Sequence, residues 1–144
     1  MVKPLAVAEI LGGDKTLKQK IRSASDLERA VGQGLPKEAL GNTTRYVFGR
    51  GALATSFAAR IVPPATYKRR KKSLAPAESE KLERVARVVA TAAYVWGDRE
   101  KAIRFLLSPH PLLEGRRPID AAISDLGARR VEETLMHLQH GLPV

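Results

Sequence analysis

Apolar side chains recur at Leu82, Val85, Ala86, Val89, Ala93 and Trp96, in steps of three and four residues. That period matches one face of an α-helix and no strand, whose faces alternate every second residue. It returns at Ala128, Val131, Leu135 and Leu138. No stretch alternates apolar and polar residues long enough to build a sheet. An all-α fold is therefore expected.

Glycine and proline divide the rest into further helices. Pro4 can open a first helix through Ile10 and Leu11, stopped by Gly12 and Gly13. A second is expected around Leu17 and Ile21. Ser25-Asp26-Leu27-Glu28 reads as a capping box with Ser25 as N-cap, and its helix ends near Gly32 and Gly34. Pro36 is placed to begin another, carrying Ala39, Leu40 and Val47 until Gly49-Arg50-Gly51 interrupts. Residues 52–60 are helical in composition, and that helix should end by Ile61, because a residue before proline is pushed out of the helical region. Pro64 suits the first turn of a short helix over 64–72. Helix, tight turn, short helix is the outline of a helix-turn-helix. Gly97 ends the long helix, Asp98 caps the next, Pro118 opens a short one, and Gly141 stands as the C′ glycine of the last. Arg129 and Glu133, four apart on that last helix, can pair. Trp96 is expected in the core.

The net charge of +10 is unevenly placed. Residues 1–75 carry 15 Lys and Arg against 5 Asp and Glu, whereas residues 76–144 carry 10 against 10. A basic half joined to a neutral half suggests a polyanion-binding module, 1–75, and a module with another task, 76–144. Five basic residues run from Lys68 to Lys72. At about 100° per residue they encircle a helix and cannot all face one ligand. Tyr67 is expected to anchor inward, leaving Thr66, Arg69 and Arg70 toward a groove. Lys68 would add a further contact, and Lys71 and Lys72, at the helix end, could reach phosphates. The competing reading is a solvated linker whose charge keeps the chain soluble. The one-sided charge and the helix-turn-helix outline favour nucleic acid.

Little supports catalysis. Without cysteine there is no disulfide framework and no thiolate chemistry. His137 and His140 stand three apart, but no recognisable ligand set surrounds them. His110 lies between prolines and reads as a structural or contact residue, and Asp98 and Glu100 read as helix-start carboxylates. The sequence GARR at Gly127 lacks the spacing of a phosphate-binding loop. No enzyme activity, metal or cofactor is expected of this chain. No apolar run approaches 18 residues, so no membrane span is expected. MVKPLAVAEILGG turns charged without a cleavage pattern and reads as a helix, which makes the cytoplasm the expected location.

From TYKRRKK through LAPAESEKLERVARVV to WGDREKAIRFLLSPHPLLEGRRPIDAAISDLGARRVEETLMHLQHGLPV, the chain resembles bacterial antitoxins of the Xre/MbcA/ParS family. GRRPIDAAISDLGARRVEETLMHLQHG is the most specific part. The resemblance covers about residues 62–144 and weakens over the first helices, where Ile61 stands at a turn position that commonly holds glycine. It implies an N-terminal helix-turn-helix (Xre-like) domain that binds operator DNA, and a small helical domain that binds a RES-domain toxin. Such toxins are ADP-ribosyltransferase-like enzymes that consume NAD, so the cofactor chemistry belongs to the partner. It further implies a homodimer that represses its own operon. In such families the antitoxin's C-terminal region blocks the toxin's cofactor pocket. Here that points to Gln139, His140, Gly141, Leu142, Pro143 and Val144, with Arg116, Arg117, Arg129 and Arg130 as further contacts to toxin or dimer partner. The alternative is a helix-turn-helix regulator with no toxin, whose second domain only dimerises.

Overall fold

The computed structural model describes residues 2–141 and is all-helical over them, as the periodicity predicts. Ten α-helices follow in order: α1 (Pro4–Ile10), α2 (Gly13–Leu17), α3 (Ala24–Gln33), α4 (Glu38–Phe48), α5 (Ala52–Ile61), α6 (Pro64–Arg69), α7 (Pro76–Trp96), α8 (Arg99–Leu107), α9 (Pro118–Ala121) and α10 (Asp125–Gln139). A single 3-10 turn, Pro111–Leu113, separates α8 from α9.

The 21-residue α7 is the spine. It packs against α1, α3, α4 and α5 as well as α8, α9 and α10. Being covered from several sides explains why its buried positions exceed one stripe: Val88, Ala90 and Ala92 join Leu82, Val85, Ala86 and Val89. The core is continuous across residue 75, running from Val7 and Leu11 through α7 to Val131 and Leu135. Trp96 departs from expectation. It lies in the last turn of α7, where covering helices run out, and is 37% exposed.

Local signals set most helix ends. Gly97 ends α7 with φ of 68°, and Asp98 caps α8 by accepting from the Lys101 N–H at 3.4 Å. Gly141 follows α10 with φ of 69°. Ser23, and not Ser25, is the N-cap of α3. Its hydroxyl accepts from the Asp26 N–H at 3.1 Å, and Asp26 accepts from the Arg22 N–H at 2.9 Å. Two serines two apart offer the same polar signal, and the earlier one is outside the helix, with the extended backbone a cap requires. α4 starts at Glu38, because Pro36 is held in an isolated antiparallel bridge to Ser73. That bridge ties the segment after α6 to the front of α4. The Leu74 N–H donates to the Leu35 carbonyl at 2.8 Å, and the Leu35 N–H donates to the buried Ser79 hydroxyl at 2.8 Å.

Candidate functional site

The basic run begins on a very short helix. Val62 is extended, Pro63 and Pro64 lead into α6, and α6 stops at Arg69 after six residues, three short of the expected 72. Tyr67 turns inward, half-buried, and its hydroxyl donates to the Lys37 carbonyl at 3.4 Å. The Lys37 ammonium sits 4.4 Å from the Tyr67 ring centroid. Burial first, and then the Glu38 carboxylate, push the Tyr67 phenol above its ordinary pKa. Thr66 is half-buried and accepts from Arg69 at 3.4 Å, while Lys68, Arg69, Lys71 and Lys72 are exposed.

Arg70 is engaged elsewhere. Its backbone is extended and its guanidinium binds Glu78 through two hydrogen bonds, of 3.0 and 2.7 Å. Glu78 also accepts from the Ala75 N–H at 2.8 Å, closing the first turn of α7. The bonds from Arg70 hold the Glu78 carboxyl below the usual carboxylate range. Arg70 thus links the basic run to the spine. Lys71 and Lys72 follow the helix, and the Lys72 carbonyl accepts from the Lys37 N–H at 3.0 Å.

An open groove of about 570 Å³ lies between α4, α5 and α6. Leu40, Ala54, Ala58, Val62 and Tyr67 contribute apolar lining, and Lys37, Arg45, Arg50 and Lys68 contribute cations. Arg45 and Arg50 were missed by sequence reasoning, which took Gly49-Arg50-Gly51 as an interruption between helices. A glycine-flanked arginine was the available signal.

Five arginines of the second half, Arg87, Arg116, Arg117, Arg129 and Arg130, are paired with carboxylates, whereas Arg84, Arg99 and Arg104 make no ion pair among the described residues. Arg130 binds Glu114 through 2.8 and 2.7 Å bonds and donates to the Leu112 carbonyl at 2.5 Å. Arg116 lies 3.6 Å from the same carboxylate and donates to the Leu113 carbonyl at 3.1 Å. Those bonds from Arg130 hold Glu114 below its ordinary pKa. Arg129 pairs with Asp125 at 3.2 Å, not with Glu133 as expected. Both carboxylates stand four residues away, and Asp125 also occupies the first turn, where the helix dipole favours an anion. Glu83, Arg87 and Glu132 tie α10 to α7, with Arg87 2.8 Å from Glu83 and 3.0 Å from Glu132. Gln139, His140 and Gly141 are exposed at the end of α10, whereas Leu142, Pro143 and Val144 lie outside the described residues.

Arg117 faces the other way. It binds Asp120 at 2.7 and 3.0 Å, and Asp120 also accepts from Arg60 of α5 at 2.6 Å. One carboxylate therefore joins α9 to α5. Bonds from Arg117, and after them from Arg60, outweigh burial and hold Asp120 below its ordinary value of 3.8. A carboxylate depressed by folding stabilises at pH above its unfolded pKa and loses that contribution as pH falls through the folded one. Asp120→Asn is thus expected to cost about 1 kcal/mol near neutrality, a modest value because water screens the pair. The difference in melting temperature from the parent should close as pH drops below about 3.8.

Trp96 lies 6.0 Å from Phe105, and Phe105 lies 6.0 Å edge-on to His110, forming an aromatic shelf. His137 is half-buried and His140 exposed, and no cluster of three metal-binding side chains occurs among the described residues. No helix among them is long and apolar enough to cross a membrane.

Residues 91–141, from the last turns of α7 through α10, match the model of the antitoxin Xre/MbcA/ParS C-terminal toxin-binding domain. A stretch of 95 residues is 33% identical to the Antitoxin Xre of Pseudomonas putida, covering 64% of this chain and 60% of that protein. The chain thus spans about three-fifths of the relative it matches. The two matches agree with each other and with the pattern GRRPIDAAISDLGARRVEETLMHLQHG, which closes the matched region, and on them residues 91–141 are similar to the toxin-binding domain of the Xre/MbcA/ParS antitoxins.

Proposed function

We propose that this chain is the antitoxin of a type II toxin–antitoxin pair and represses its own operon as a homodimer. One observation carries the division of labour. Lys37, Arg45, Arg50, Lys68 and Arg69 gather around α4–α6 with no ion pair among the described residues, whereas Arg116, Arg117, Arg129 and Arg130 each have a carboxylate. Unpaired cations on one face attract a polyanion, while paired ones hold a surface in shape for another protein. The chain then works as two modules, 1–75 and 76–144, with α7 as their common spine. In the first, α5, Val62-Pro63 and α6 act as a helix-turn-helix, with Thr66 and Tyr67 setting α6 on the backbone, Lys68 and Arg69 meeting phosphates and base edges, and Lys71 and Lys72 adding charge. Arg70 contributes by fixing where α6 meets α7.

The second module binds the toxin. The family match over residues 91–141 supports a toxin partner, and the resemblance over residues 62–144 supports a RES-domain, NAD-consuming one. Segment 139–144 is proposed to obstruct the toxin's cofactor pocket, and Arg116 and Arg130, brought together at Glu114, to supply a further contact surface. The chain does no chemistry of its own in this reading and takes no cofactor.

Co-expression with the neighbouring reading frame, and purification on one tagged partner, tests this. The expected result is a stable complex and protected growth. Removing residues 142–144 should restore toxicity while leaving duplex binding unchanged. Full protection by the shortened chain would refute the obstructing segment, and absence of any co-purifying partner would favour a regulator whose second module only dimerises.

A further inference from the structure

The groove between α4, α5 and α6 carries a charge pattern that extends beyond the α6 contacts. Lys37 at the front of α4, Arg45 on its last turn, Arg50 in the following loop and Lys68 on α6 all line the α4–α5–α6 groove. No carboxylate lines it. A second depression of about 440 Å³ shares Arg45 and Arg50 and adds Arg99. Its one carboxylate is Glu9, and Glu38 is the anion beside Tyr67.

These cations are held, not neutralised. Arg45 donates to the Asn42 side chain at 2.8 Å, and Arg99 donates to the Tyr46 carbonyl at 2.9 Å with its guanidinium 4.4 Å from the Tyr46 ring centroid. Neutral partners fix direction and leave the charge in place. Gly49 and Gly51 flank Arg50 at φ of 71° and 126°, a backbone that side chains other than glycine rarely adopt. A Cβ at either would meet nothing within 4 Å, so conformation and not crowding calls for glycine, and the loop's backbone stays open to an approaching ligand.

We infer that Arg45 and Arg50, with Lys37 and Lys68, form a second phosphate-binding line that seats the sugar-phosphate backbone of duplex DNA along the groove mouth. The inference rests on the DNA-binding reading above and extends it from α6 to α4 and the Gly49–Gly51 loop. A duplex fits because it is a rigid rod bearing one negative charge per about 1.7 Å of axis, so cations spread over three elements can each meet a phosphate. Arg99 extends the same line toward α8.

Fluorescence anisotropy with two labelled duplexes, the DNA upstream of this reading frame and an unrelated sequence of equal length, tests it between about 50 and 200 mM salt. Arg45→Ala with Arg50→Ala should weaken both duplexes by at least about tenfold, and lower the slope of log affinity against log salt by about two per protomer. Arg45→Lys with Arg50→Lys should restore most of that slope, because charge carries the contact. Arg50→Ala alone, whose side chain makes no hydrogen bond among the described residues, serves if the double variant melts early. An alanine variant with the parent's slope overturns the inference while leaving DNA binding by α6 intact. If the parent binds neither duplex, the DNA reading itself fails and takes the inference with it. Retained DNA binding with lost toxin capture would assign the groove to the protein partner and equally overturn it.

Discussion

Gly127→Val is expected to remove about 3 kcal/mol of stability, a large part of what a domain of this size has. Gly127 sits in the first turn of α10, where its N–H donates to the Ser124 hydroxyl at 3.0 Å. A Cβ there would fall inside the van der Waals envelope of the Ala121 carbonyl oxygen, and 2.7 Å from the Ser124 hydroxyl. Ala121 belongs to α9 and is buried beside Ile119, so the obstacle is backbone with no room to retreat. The α9–α10 corner must open, and with it the short link that carries Asp120. Gly127→Ala should show the same sign with a smaller loss. Gly32→Ala is the control, since nothing lies within 4 Å of a Cβ at that helical position. It should be neutral or stabilising by about 0.5–1 kcal/mol. Urea denaturation of the three variants measures this. Equal midpoints for Gly127→Ala and the parent would mean that the corner yields and the packing argument is wrong.

Lys68→Ala with Arg69→Ala should lower duplex affinity on the order of a hundredfold near 0.1 M salt, leaving toxin neutralisation intact. Both side chains are exposed and lack ion-pair partners among the described residues, so their removal takes charge and little packing. In the proposed homodimer two cations are lost from each half-site, which is why the effect is large. Arg70 and Tyr67 are left in place deliberately. Arg70 holds Glu78 at the start of α7 and Tyr67 packs on Lys37, so changing either would mix folding with binding. Anisotropy on the upstream duplex and growth under co-expressed toxin read the two functions separately. A folded variant that loses both would show that one surface serves both partners.

The helical class and most helix ends were legible because glycine, proline and a period near 3.6 act locally. Gly97, Asp98, Pro64, Pro118 and Gly141 each do in the fold what their chemistry dictates. The misreadings share a cause. Ser23 against Ser25, and Asp125 against Glu133, are choices between equivalent signals, decided by where the helix began. Trp96 matched the stripe, yet a period cannot say where covering helices end. Pairing was the least visible property. Nothing in KRRKK distinguishes Arg70, bound to Glu78 eight residues on, from the exposed Arg69 beside it. Arg60 and Asp120 meet from sixty residues apart, a distance over which sequence carries no contact signal.

The spine has a consequence for turnover. Since α7 lies wedged among helices from both halves of the chain, stripping away either half bares part of the buried surface of the other. A processive protease drawing the polypeptide from either side would collapse both surfaces in one event. On the proposed function, silencing of the operon and restraint of the poison would then lapse together.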